Sequence, residues 1–119
     1  MSISNLVTER PDLALAPVAP ATLAERFEQW ADAMTPDTWC QRATARDALG
    51  QVVAFDDPLA TRWCAIGMAR RLFTTSVIRL LFAAYVHRYG TCLEHDNDRW
   101  GLQRVRRHLY ELAALRAEP

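Results

Sequence analysis

Leu23, Phe27, Trp30 and Met34 recur at helical spacing while Glu25, Glu28 and Asp32 point away, so the first amphipathic stripe predicts a helix over 22–34. Thr22 and Glu25 form a capping box at its start, and Thr35-Pro36 ends it. From Ala43 to Phe55 the pattern changes to two short extended segments around a tight turn that contains Gly50, which predicts a β-hairpin. Asp57-Pro58 carries a helix-start signal, Asp as cap and Pro at the first position, so a second helix is expected through Phe73. On it Ala60, Cys64 and Gly67 would form a strip of small residues flanked by Trp63 and Ile66. Thr74-Thr75-Ser76 interrupts and caps a third helix over 76–89, with Val77, Leu80, Leu81, Ala84 and Tyr85 on its face. Ile78, Phe82 and Val86 make that helix apolar nearly all round, and Gly90 stops it. The polar stretch TCLEHDNDRW over 91–100 reads as an acidic loop, with Asn97 or Asp98 capping the next helix. That fourth helix, over 101–116, has Leu102, Val105, Leu109, Leu112 and Leu115 in a seam, opposite Arg104 and Arg107 with Arg106 beside them. Residues 1–21, with Pro11, Pro17 and Pro20 and no periodicity, read as a flexible or extended arm. The expected fold is therefore mainly α: a compact four-helix domain over 22–119 with a short β-hairpin inserted between helices one and two.

Composition narrows the class. A chain of 119 residues, 50% hydrophobic and 24% charged, fits one globular domain able to bury a core without metal or disulfide staples. The longest apolar run, VIRLLFAAYV, is about half the roughly 20 residues a bilayer span needs, so no membrane role is expected. The N-terminus lacks the basic-then-apolar pattern of a signal peptide, so a cytoplasmic, reducing location is expected. Three cysteines at irregular spacing argue against a disulfide framework.

Charge is balanced overall, with 14 basic and 14 acidic residues, but every basic residue is Arg. Residues 1–60 hold four Arg and nine acids, and residues 61–119 hold ten Arg and five acids. Such a split predicts either ion pairing between the halves, the simpler expectation, or two faces of opposite sign that meet partners.

The stretch Trp39-x-Gln41-x-Ala43-x-Ala45-Arg46-Asp47-x-x-Gly50, then Pro58-x-Ala60-x-x-Trp63-Cys64-x-x-Gly67, then Asn97-Asp98 and a last amphipathic helix resembles the domain-of-unknown-function family 6197. That family comprises small proteins of actinobacteria and their phages. The resemblance covers 22–116 and is densest over 39–68. The family pattern has Ala where this chain has Met68 and Trp where it has Asp96. It implies a fold unit and a mobile-element setting, and brings no activity with it.

Several residue sets invite chemistry. His87, Cys92 and His95, with Cys64 as a fourth ligand, suit zinc by type, but their spacing matches no standard zinc module, and no metal or cofactor is expected. Cys64 with a His and Asp47 or Asp98 would suit nucleophilic catalysis, yet a mid-helix Cys beside Trp63 is better explained by packing. Glu94, Asp96 and Asp98 with Asn97 offer hard oxygens but lack the rest of a calcium loop. Arg46 and Asp47 read as an ion pair that fixes the hairpin turn, with the orientation of a ligand phosphate or carboxylate as the alternative. Arg99, Arg104, Arg106, Arg107 and His108 make a basic patch near Trp100 and Tyr110.

The preferred reading is a non-enzymatic interaction module, a mobile-element accessory protein acting on a host protein or nucleoprotein complex. Its expected contacts are Arg99, Trp100, Arg104, Arg106 and Arg107 with the acids Glu94, Asp96 and Asp98. The apolar third helix and the arm favour a homodimer. The alternatives are a small enzyme whose pocket joins the hairpin to the 91–100 loop through Asp47, Asp98 and His95, and a nucleic-acid-binding regulator using the last helix. The enzyme reading requires those three groups to converge in one cavity.

Overall fold

Helix α1 (Leu23–Ala33) begins with the capping box formed: the Glu25 N–H donates to Thr22 Oγ1 at 3.1 Å, and the Thr22 N–H donates to Glu25 Oε1 at 2.7 Å. The computed structural model describes residues 21–117, so the arm expected over 1–21 lies outside them except for Ala21. Phe27, Trp30 and Ala31 on α1 are fully buried, and the Trp30 indole donates to the Ala65 carbonyl at 3.0 Å. A buried indole N–H left without a partner would offset part of the apolar gain, and this bond removes that cost.

The hairpin forms from β1 (Ala45–Asp47) and β2 (Val52–Val53), and it gains a third strand, β3 (Ala60–Trp63), in the sheet order β2-β1-β3. This corrects the expected second helix from Asp57. Asp57 instead caps a turn, its Oδ1 accepting from the Leu59 N–H at 2.8 Å. The next residues are then taken by sheet bonds on both sides. β1 pairs with β3 through Ala45↔Trp63 and Arg46↔Arg62, and on the other edge Trp63 and Cys40 N–H groups donate to Thr38 and Trp63 carbonyls. One ladder, a single bridge from Trp39 to Trp63 on the other edge, and a buried Trp63, whose indole donates to Phe55 O at 2.8 Å, outweigh a local Asp-Pro signal.

Helix α2 (Ala65–Leu72) therefore starts after Cys64, which is its N-cap and not a mid-helix residue; the sulfur accepts from the Gly67 N–H at 3.3 Å. The expected strip of small residues breaks up, and Gly67 packs against the chain at Thr44 instead. Helix α3 (Thr75–Tyr89) is capped by Thr74 and closed by Gly90 at φ 71°. Its Phe82 stacks on Trp30 at 5.8 Å, while Leu80 and Val86 stay 57% and 46% exposed on the outer side.

The expected loop over 91–100 is largely a helix, α4 (Leu93–Arg99). Its inward positions at helical spacing are Leu93, Asp96 and Asn97, all buried. Two of the three are polar, so the apolar stripe that would have announced the helix is missing. Gly101 at φ 90° breaks the chain before α5 (Leu102–Ala117), whose Leu102, Val105, Leu109 and Leu112 seam packs into the core, mainly against α1. Leu115 of the expected seam is half-exposed. Among the described residues the fold is thus five helices and a three-stranded antiparallel sheet, where four helices and a hairpin were expected. No helix among the described residues is long and apolar enough to cross a membrane.

A Cβ on Gly67 would lie 2.1 Å from the Thr44 carbonyl oxygen, a backbone atom that cannot move aside. Gly67→Ala should therefore destabilise the protein by at least about 2 kcal/mol in urea unfolding. Helix propensity alone would have made the change stabilising by about 1 kcal/mol.

Candidate partner-binding surface

Asn97 is 1% exposed and organises the region around which the candidate residues lie. Its Oδ1 accepts from the Trp39 indole at 2.8 Å and from the Ala65 N–H at 2.9 Å, and its Nδ2 donates to the Cys40 carbonyl at 3.3 Å. Gln41 donates to the carbonyls of Asn97 and Asp98, and the Arg42 N–H donates to Asp98 Oδ1 at 2.9 Å. Arg42 takes a left-handed φ of 60° there. The Trp-x-Gln and Asn-Asp pairs, 58 residues apart from Trp39 to Asn97, are thus two halves of one structural clamp.

A second buried group crosses α3, α4 and α5. Asp96 is 1% exposed; its Oδ2 accepts from the Tyr85 hydroxyl at 2.5 Å, and that hydroxyl lies 2.8 Å from His108 Nδ1. The hydroxyl has one proton, given to Asp96, so His108 must donate from Nδ1. Tyr89 stacks on the His108 ring at 3.8 Å and donates to Glu111 at 2.7 Å. Burial lowers the His108 pKa from its ordinary 6.5, with Glu111 and Asp96 opposing and Arg104 and Arg107 adding to the shift. Burial and the Asp96 hydrogen bond raise that of Tyr85.

Of the expected contact residues, Arg99, Trp100 and Arg104 come together. The Trp100 ring is 49% exposed at the α4–α5 corner, with the Arg99 guanidinium 5.0 Å and the Arg104 guanidinium 4.3 Å from its centre. Arg107 is exposed one turn beyond Arg104 on α5. Arg106 leaves the patch: it faces α1, donating to the Ala31 carbonyl at 3.2 Å and to Tyr110, which in turn donates to Asp32. Two residues along a helix is about 200°, so Arg104 and Arg106 cannot share a face. Asp96 is removed from any contact surface by its burial, and Asp98 is half-buried in the clamp with Arg42; Glu94 alone of the acids is exposed.

Among the described residues, direct ion pairing between the acidic and basic halves is not what the charges do. Among the described residues, ion pairs within 4.0 Å are limited to Asp96 with His95 and His108. Arginines stack instead, Arg71 on Trp63 at 4.3 Å and Arg70 on Phe55 at 5.9 Å. Arg46 and Asp47 do not make the expected turn pair. Asp47 Oδ1 accepts from the Leu49 and Gln51 N–H groups at 2.9 Å, and Arg46 donates to the Gly50 and Gln41 carbonyls.

The groups named for an enzyme do not converge. Asp98 and His95 share an open cavity of about 460 Å³ with Arg42, Cys92, Glu94 and Arg99. Asp47 lines a different cavity, of about 760 Å³, between the hairpin and the start of α5. Cys64 is buried at a third, and burial raises its thiol pKa. No three His, Cys, Asp or Glu groups among the described residues are placed to hold one metal ion. The sequence reading missed the larger cavity and its Arg62. Reading Ala60–Trp63 as a strand would have set Arg62 opposite Arg46. No protein-family model matches this chain, and neither a curated protein nor a solved structure matches it.

Asn97→Ala strands the Trp39 indole, the Ala65 N–H and the Cys40 carbonyl together. At about 1–3 kcal/mol for each buried orphan, unfolding free energy should drop by about 3 kcal/mol or more in chemical denaturation. His108 gives a pH dependence. Its folded pKa is depressed, so the unfolded chain binds the proton more tightly. That contribution is complete above pH 6.5 and is lost progressively as pH falls below it. Thermal melts between about pH 7 and pH 5 should show wild type losing more stability than His108→Gln.

Proposed function

We propose that this domain is a non-enzymatic interaction module that binds an acidic protein surface through Trp100, Arg99, Arg104 and Arg107. The observation that carries the reading is Trp100, a large aromatic left 49% exposed between two guanidiniums. Trp and Arg dominate the energetics of protein interfaces because they bury large areas and donate several hydrogen bonds at once. Guanidiniums already stacked on the ring lose less freedom when a carboxylate arrives. A balance of 14 basic and 14 acidic residues creates little long-range field for a polyanion, which favours a protein over bare nucleic acid. In the setting implied by the resemblance to family 6197, the partner would be a host protein or nucleoprotein complex met by a mobile-element accessory protein. A second copy of the chain is the proposed cover for Leu80 and Val86 of α3.

The test places a photo-crosslinking amino acid at exposed Gln103, near Trp100 in the chain, and irradiates an extract of the encoding organism. A discrete protein adduct should form and fall about 30-fold in yield with Trp100→Ala, in line with a hot-spot loss of about 2 kcal/mol. The adduct should also be lost with Arg104→Glu. Undiminished crosslinking in both variants would overturn the assignment. Nuclease-sensitive adducts would replace the protein partner with nucleic acid.

A further inference from the structure

We propose that the cavity between the hairpin and the start of α5 binds a monoanionic carboxylate carried on an apolar body. The strand register sets Arg46 directly opposite Arg62 on one face of the sheet. Like charges in that relation destabilise a strand pair, so the arrangement calls for a compensating anion. Among the described residues neither guanidinium has an acidic partner within 4.0 Å.

Both side chains are held in place by backbone carbonyls. Arg46 donates to Gly50 O at 2.9 Å and to Gln41 O at 3.2 Å, and Arg62 donates to Pro36 O at 3.3 Å. A guanidinium has five N–H donors, so each keeps donors for a ligand. Both line the same cavity of about 760 Å³, within the usual size of small-ligand sites.

The walls specify the rest of the ligand. Trp39, Leu49 and Leu102 supply apolar surface, and the Trp39 ring is fixed by its bond to Asn97. Asp47 is the one acid in the lining, so two guanidiniums and one carboxylate leave a net charge of +1. That balance suits a single carboxylate better than a phosphate dianion, and the planar guanidinium fork matches it in shape. The carboxylate could come from a free organic acid or from an acidic side chain of a peptide, and the chemistry recognised is the same.

Isothermal titration of the full chain with phenylacetate, with an acetylated and amidated Leu-Asp-Phe peptide, and with inorganic phosphate tests the proposal. Saturable binding of either carboxylate, with phosphate weaker, is expected, and the tighter of the two identifies the source. Arg62→Gln should weaken that binding about tenfold by removing one charge-assisted partner, with Arg62→Lys in between. Without ligand, the thermal midpoint of Arg62→Gln should be no lower than wild type, because a like-charge opposition is relieved. That control separates loss of the site from loss of the fold. Absence of saturable carboxylate binding, phosphate binding as tightly as phenylacetate, or unchanged affinity in Arg62→Gln would each overturn the proposal.

Discussion

One buried carboxamide holds together the parts of this molecule that meet solvent in an informative way. Asn97 reaches the Trp39–Cys40 segment, the first turn of α2 and its own helix α4 from a single side chain. Those segments are far apart in the chain. An amide can do this because it offers donor and acceptor from one rigid plane, and in the interior each bond is protected from competition with water. Without it, the Trp39 ring would lose the bond that sets its orientation, and the entry to α2 would lose its first partner. The α4–α5 corner that displays Trp100 follows directly from where Asn97 holds α4.

The charges obey a second constraint. An all-Arg chain with equal numbers of acids could have been laced with salt bridges. Its acids instead serve backbone and hydroxyl groups: Glu25 caps α1, Asp47 and Asp57 cap turns, Asp96 takes the Tyr85 hydroxyl. Arg71 and Arg104 lie on aromatic faces, and Arg46 and Arg106 bond carbonyls. Guanidinium is suited to both tasks because it is planar and weakly hydrated. The consequence, among the described residues, is cationic surface without an acidic partner within 4.0 Å at the Trp100 corner and the Arg46–Arg62 face, each beside an aromatic ring. Interaction chemistry therefore rests on groups that the fold orients without neutralising.

The cluster of Asp96, Tyr85, His108 and Tyr89 is the other place where polar groups cross elements. It joins α3, α4 and α5 where an all-apolar core would have given non-directional contact. Directional bonds fix the rotation of α5 about its axis, and with it the side on which Arg104 and Arg107 emerge. The buried acid and the exposed cations are linked in that sense, although they never touch.

Local signals sufficed where one residue's chemistry decides one backbone event. The Thr22–Glu25 box, the Gly90 stop, the α5 seam and the hairpin turn could be read from neighbours alone, because caps, left-handed stops and amphipathic stripes act within a few residues. Trp100 could likewise be grouped with Arg99 and Arg104, since the three are close along the chain. Elements that depend on partners distant in the chain were not legible in this way. Ala60–Trp63 became a strand because β1 and Thr38 supply bonds on both its edges, overriding Asp57-Pro58. The 91–100 segment became a helix because Tyr85, Trp39 and Cys40 satisfy Asp96 and Asn97, so polar residues could face inward. Arg106 was turned to α1, and Arg62 was set against Arg46, for the same reason: hydrogen-bond satisfaction and register are settled between elements, and only the assembled structure contains both sides of each pair.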